Sequence, residues 1–143
     1  MRASGNEGVA GRIRQSIGSI GYVSYEFARK LGLRMAVLEN REGRFVKPDE
    51  QSCTSALVSA QLPENLRLFV PDPPGPNTYP IVTLSWVLLY RQYEDTEKAK
   101  AVRDLFRWCL RDGQKSAELL GYIQLPESIA QRAAAMVDTI LPR

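Results

Sequence analysis

The sequence predicts an α/β protein, and three stretches carry that prediction. Ser19-Ile20-Gly21-Tyr22-Val23-Ser24-Tyr25 is a β-branched and aromatic run bracketed by small residues, with a helical pattern before it and another after it. It reads as a buried strand. Ile81-Val82-Thr83-Leu84-Ser85-Trp86-Val87-Leu88-Leu89-Tyr90 is longer, β-rich and almost free of polar interruption, which suits a central strand covered on both faces. From Asp95 onward, Ala99, Val102, Leu105, Phe106, Cys109 and Leu110 form one apolar helical stripe opposed by Lys98, Lys100, Arg103 and Arg107. Strand ends that feed helices are where α/β proteins hold small ligands.

The first helix spans Ser4 to about Ile17, with Val9, Ala10, Ile13 and Ile17 at helical spacing and Gly18 stopping it. Ser4 and Glu7 have the spacing of a capping box, in which each side chain bonds the other's backbone N–H. After the strand, Glu26–Leu31 makes about two turns of helix, with Gly32 as its C-cap. Met35–Leu38 and Phe45-Val46 flank the polar turn Asn40–Gly43 and form a hairpin. Asp49 then caps a helix through Cys53, Ala56, Leu57 and Ala60, and Pro63 marks its end.

Leu66–Val70 alternates too weakly to assign. Pro71–Pro80 is the most proline-dense part of the chain, and such a run is expected to be a stiff, extended connector crossing from one layer or lobe to another. The helix begun at Asp95 ends at Asp112-Gly113, a shorter one from Gln114 closes on Gly121, and Pro126 opens the last. That last helix buries Ile129, Ala133, Met136, Val137 and Ile140.

At 143 residues the chain suits one ordinary domain. A hydrophobic share of 44% with 24% charged residues describes a globular protein rather than a disordered one. The net charge of +3 comes from scattered Lys and Arg, so nucleic acid is not expected as a partner. The sequence contains no histidine, which removes the usual general base and the commonest metal ligand. Cys53 and Cys109 both fall in helical patterns, as small apolar residues rather than a disulfide. Neither a signal peptide nor a membrane span is expected within these residues.

The acids do not pair into an acid/base site, because Glu39, Glu42, Asp49 and Glu50 occupy turn or cap positions. No catalytic residue, metal site or cofactor is expected, and there is no P-loop, dinucleotide fingerprint or C-x-x-C motif. Tyr22 and Tyr25 are either ligand-facing rings or core packing, and Trp86 and Trp108 read as core. The helix start at Ser4–Gly8 is either an ordinary cap or an anion site. Orphan N–H groups meet the positive end of the dipole there, and Gly5 and Gly8 would let an anion approach the backbone.

Several blocks together resemble a known family: Ser4–Ala10, Gly18–Tyr25, Asn40 to Pro48, Tyr79-Pro80-Ile81, and Gly113-Gln114-Lys115 leading to Leu120–Pro126. In order and approximate spacing they are similar to the C-terminal part of the phosphate-binding protein of the phosphate ABC transporter. The resemblance implies a periplasmic-binding-protein-like fold of the second type, two α/β lobes closing over one phosphate ion. It also implies delivery to ABC permease subunits in the membrane, no covalent chemistry, and a periplasmic or extracellular location. The family's Ser-Gly-Thr segment and nearby Arg, which contact phosphate, precede the part that matches here.

On that resemblance the fold is incomplete, a C-terminal segment contributing to both lobes. Residues 1–70 form part of the second lobe, 71–80 the crossover connector, and 81–143 a strand and helices completing the first lobe. The expected function is the substrate-binding component of a phosphate importer, with Gly5, Asn6 and Gly8 as the phosphate-facing candidates and with a missing N-terminal half or self-association completing the structure. The alternative is a non-catalytic structural or interaction module that keeps the scaffold without ligand binding, possibly as a dimer.

Overall fold

The computed structural model describes residues 2–142 and mixes helices with short strands. The first helix, α1, covers Gly5–Gln15, and the second, α2, covers Tyr25–Lys30. The expected capping box of α1 does not form, since the Ser4 side chain makes no cap hydrogen bond. Helix α2 ends as its sequence requires. Gly32 sits at φ +62, the Leu33 N–H donates to the Ala28 carbonyl and the Gly32 N–H to that of Arg29. That pair of bonds is a Schellman motif, which needs a left-handed residue where Gly32 stands.

The buried strand expected at Ser19–Tyr25 is not one. These residues form no ladder, and Ile20 and Tyr22 are 95% and 93% exposed. Gly21 lies against α1 so closely that a Cβ would fall 2.9 Å from Ile13 Cδ1. The run has the composition of an interior strand, but among the described residues it has no neighbour to pair with.

The hairpin forms as expected but shorter: β1 (Leu38–Glu39) pairs antiparallel with β2 (Phe45–Val46), with Leu38 opposite Val46. Helix α3 (Glu50–Ser59) has a complete capping box. The Ser52 N–H donates to Asp49 Oδ1 at 2.9 Å, and the Asp49 N–H donates to Ser52 Oγ at 3.0 Å.

Next come β3 (Phe69–Pro71) and β4 (Ile81–Thr83), an antiparallel pair with Val70 opposite Val82. The proline-rich segment between them is therefore a compact loop whose ends meet, not an extended connector. The Asp72 N–H donates to the Pro80 carbonyl at 2.9 Å, and the Thr78 hydroxyl bonds the carbonyls of Pro73 and Gly75. Prolines cannot donate to a ladder, but they tolerate a loop in which side-chain donors satisfy their carbonyls. Asn40, only 4% exposed, supplies three such bonds through Nδ2, to Gly75, Pro76 and Thr78. Its Oδ1 accepts the N–H groups of Glu42 and Arg44, so one side chain shapes the β1–β2 turn and pins the proline loop to it.

The central strand expected at Ile81–Tyr90 is regular only over its first three residues. Beyond Thr83 the chain leaves the ladder, and Val87, Leu88 and Tyr90 are exposed. Trp86 is not core either. Its ring stacks obliquely on Phe69 with centroids 5.4 Å apart, and its indole N–H donates to the Leu66 carbonyl.

The C-terminal part is the best packed. A short β5 (Gln92–Tyr93) leads into α4 (Thr96–Leu110), whose N-cap Asp95 accepts the N–H groups of Glu97 and Lys98. Helix α5 (Gly113–Leu119) follows, and α6 (Glu127–Asp138) packs on α4 around Ala99, Ile129, Ala130, Val137 and Ile140. Met136, expected on the buried side, is 47% exposed, and Trp108 is half exposed at the end of α4. The final β6 (Leu141–Pro142) pairs parallel with β5, a contact between distant residues that no local pattern announced. Among the described residues the strands form three separate two-stranded sheets.

Candidate functional site

The expected ligand-facing residues lie at the start of α1. Gly5 is exposed at φ +62 with no atom within 4 Å of where a Cβ would stand, so solvent reaches the backbone there. Gly8 is half-buried and faces Ala3, 3.5 Å from its own virtual Cβ. Asn6 turns the other way. Its Oδ1 accepts the backbone N–H of Ser24 at 3.0 Å, joining the start of α1 to the cap residue of α2.

Two helix starts are thus held side by side by one carboxamide. Neither cap hydroxyl, Ser4 nor Ser24, makes a capping hydrogen bond. First-turn N–H groups without a side-chain acceptor carry the partial positive charge of the helix end, and such groups attract anions. Acidic side chains oppose that field, with Glu7 in the first turn of α1 and Glu26 in that of α2. The nearby Arg29 guanidinium lies over the Tyr25 ring, 5.7 Å from its centroid. The structure therefore brings Gly5, Asn6 and Gly8 to one helix start, and adds Ser24, which sequence reasoning had placed inside a strand. A serine two residues ahead of Glu26, before a helical run, was the signal that could have marked it as a cap.

Two clefts lie elsewhere, and neither is lined by Gly5, Asn6 or Gly8. One, of about 740 Å³, is bordered by Arg29, Glu50, Lys115, Glu118, Leu119 and Gln124. The other, of about 600 Å³, runs beside the start of α3 between the β1–β2 hairpin and the proline loop, past Arg44, Lys47 and Asn77. Its lining carries two cations, Arg44 and Lys47, and one acid, Asp49. The Asp49 carboxylate fills the positive end of α3, and the Ser52 backbone N–H, with Lys47 nearby, holds its pKa below the ordinary carboxylate value.

The Cys53 thiol is inert by position. Burial pushes the Cys53 thiol up within α3, and both cysteines are free. Among the described residues no three His, Cys, Asp or Glu side chains gather as a metal-ligand set, and no helix is long and apolar enough to cross a membrane. What this arrangement can do chemically is bind through backbone N–H groups and hydroxyls.

No family model matches the chain. Individual relatives do. It is 35% identical over 137 residues to the phosphate-binding protein PstS of Pasteurella multocida, covering 94% of this chain and 40% of that protein. Against the phosphate-binding protein PstS of Xylella fastidiosa it is 33% identical over 133 residues, covering 92% and 36%. Against that of the archaeon Methanocaldococcus jannaschii it is 34% identical over 154 residues, covering 98% and 39%. The chain thus spans about two fifths of the length of the curated relatives it matches.

Proposed function

The chain is a relative, along nearly its whole length, of the PstS phosphate-binding proteins, and we propose that it serves as part of the substrate-binding component of an ABC importer for inorganic phosphate. The observation that carries this reading is identity of about one third sustained over more than nine tenths of the chain. On this reading it does no covalent chemistry and works in the periplasm or outside the cell. It hands phosphate to permease subunits in the membrane.

The fold proposed for the complete protein is periplasmic-binding-protein-like of the second type. This chain is its C-terminal segment, with residues 1–70 in the second lobe, the loop 71–80 at the crossover and 81–143 completing the first lobe. The main phosphate contacts then come from the rest of the protein. Gly5 and Asn6 contribute helix-start N–H groups at the margin of the site, and Gly8, whose own N–H donates to the Ser4 carbonyl, contributes only its lack of a side chain.

A calorimetric titration with phosphate, with sulfate as control, tests the reading on this chain together with the remainder of a PstS relative. Saturable heat with phosphate and none with sulfate is the expected result, and no phosphate heat from the reconstituted protein would overturn it. A second reading, an interaction module that keeps the scaffold and binds no ligand, draws support from the exposed apolar side chains at Ile20, Tyr22 and Leu88. Unimpaired folding and association with no phosphate response would favour it.

A further inference from the structure

The larger cleft is lined by two distant parts of the chain. Arg29 of α2 and Glu50 of α3 come from the first part, and Lys115, Glu118 and Leu119 of α5, with Gln124 beyond it, come from the second. The two parts touch close by. Gly121 terminates α5 at φ +92, its N–H donating to the Glu118 carbonyl and that of Tyr122 to the Ala117 carbonyl. A Cβ at Gly121 would lie 3.5 Å from Glu26 Cβ, so the end of α5 rests on the first turn of α2. Arg132 of α6 makes a further junction, donating to the carbonyls of Leu62 and Pro63 beyond the end of α3.

Each part supplies the cleft with one cation and one acid, and among the described residues none of the four makes an ion pair. Other charges in the chain do pair, Lys47 with Asp49, Lys100 with Asp104 and Arg107 with Asp138. In the cleft, Arg29 lies over the Tyr25 ring and Glu118 accepts the Gln124 amide at 2.6 Å, so each leans on its own part of the chain.

Only two pairings of opposite charge cross the cleft, Arg29 with Glu118 and Lys115 with Glu50. One movement serves both. Lys115 and Glu118 are three residues apart on α5 and so share a face of that helix, and an approach of α5 to α2 and α3 brings both to their partners.

We propose that these four residues are a charge latch: the structure holds the cleft open, and closing it pairs Arg29 with Glu118 and Lys115 with Glu50. On the lobe division proposed above the two parts are the second and first lobes, so the latch biases lobe closure. The proposal rests on that division but not on phosphate being the ligand. An exposed ion pair shifts an equilibrium by about fivefold at most, so two of them tilt the balance between open and closed without locking it. Salt screens the bias.

The test is a zero-length crosslink. A water-soluble carbodiimide joins a lysine amine to a carboxylate only where the two touch, taking up the water lost as the amide forms. Applied to this full chain at low salt and followed by peptide mass spectrometry, it should join Lys115 to Glu50. The Lys100–Asp104 pair, 3.5 Å apart, is the internal control, and isotope-labelled chain mixed into the sample separates links within one chain from links between two. The Lys115–Glu50 yield should fall by about threefold or more in about 1 M salt. Arg29→Lys should add a link from position 29 to Glu118. Arg29→Glu should lower the Lys115–Glu50 yield by about threefold or more, and adding Glu118→Arg should restore it. These side chains are exposed, so circular dichroism should stay that of the native chain.

No link between Lys115 and Glu50 at low salt, in a sample where Lys100 and Asp104 are joined, would overturn the proposal. So would a link found only between chains, or a yield indifferent to both salt and Arg29→Glu. Phosphate calorimetry beside the same crosslinking, on the chain reconstituted with the remainder of a PstS relative, keeps the two readings apart. The link without phosphate heat removes the phosphate reading and leaves the latch, and phosphate heat without the link removes the latch.

Discussion

The Asn6 carboxamide accepts the Ser24 backbone N–H at 3.0 Å and so fixes the start of α1 beside the start of α2. The two residues are eighteen apart in sequence. Asn6→Ala should leave a half-buried N–H unpaired and lower stability by about 1 to 2 kcal/mol. Asn6→Asp keeps an acceptor and should hold the melting temperature of the native protein, while its charge weakens phosphate binding in the reconstituted protein. Paired melting and calorimetry would show both effects, and unchanged phosphate affinity in Asn6→Asp would remove this helix start from the site.

Asn40 carries more of the fold. Its amide donates to three carbonyls of the proline loop and its oxygen accepts two N–H groups of the hairpin turn. Asn40→Ala should destabilise by about 3 kcal/mol, because buried groups on both sides lose their partners. Asn40→Asp should do at least as much harm, since a carboxylate replaces the donor facing those carbonyls. Urea midpoints of the two variants against native protein are the measurement, and a loss within about 0.5 kcal/mol would show that water or relaxation replaces these bonds.

Acid should expose the role of Asp49. The Ser52 N–H lowers its pKa in the folded state below the ordinary value of 3.8. A depressed folded pKa contributes stability that is present above the unfolded pKa and is lost as pH falls through the folded value. Asp49→Ala should therefore cost about 1 kcal/mol near neutral pH, with the difference from native protein shrinking as pH falls below about 4. A constant difference from pH 7 to pH 3 in denaturant titrations would mean that the cap works without its charge.

The two thiols should separate by reactivity. Cys53 is buried in α3 with its thiol pKa raised by burial, whereas Cys109 is half-buried in α4. With a thiol-specific reagent at about pH 8, Cys109 should react first, and Cys53 only on denaturation or local opening. Equal rates for both in the native protein would show that α3 opens far more readily than its packing implies.

Helices were legible in the sequence because a helix satisfies its own backbone. The Asp49 and Asp95 caps, the helix carrying the apolar pattern of α4 and the Gly32 terminator each lie within a few residues and formed where their residues stand, whereas the capping box expected at Ser4 and Glu7 did not. The candidate site was legible only as a position. Gly5, Asn6 and Gly8 are at a helix start as expected, but the Ser24 contact joins segments eighteen residues apart and left no local trace.

Strands depended on what stood beside them. Ile20–Val23 and Leu84–Tyr90 have strand composition yet no ladder, while Phe69–Pro71, too weak to assign from its pattern, became a strand because Ile81–Thr83 lay opposite it. The parallel pairing of Gln92-Tyr93 with Leu141-Pro142 arose in the same way. Sequence by itself determined the helices, the Asp49 and Asp95 caps and the kinship with PstS proteins. Tertiary structure alone decided which extended runs became strands, because a ladder's hydrogen bonds are made between segments and exist only where a second segment arrives.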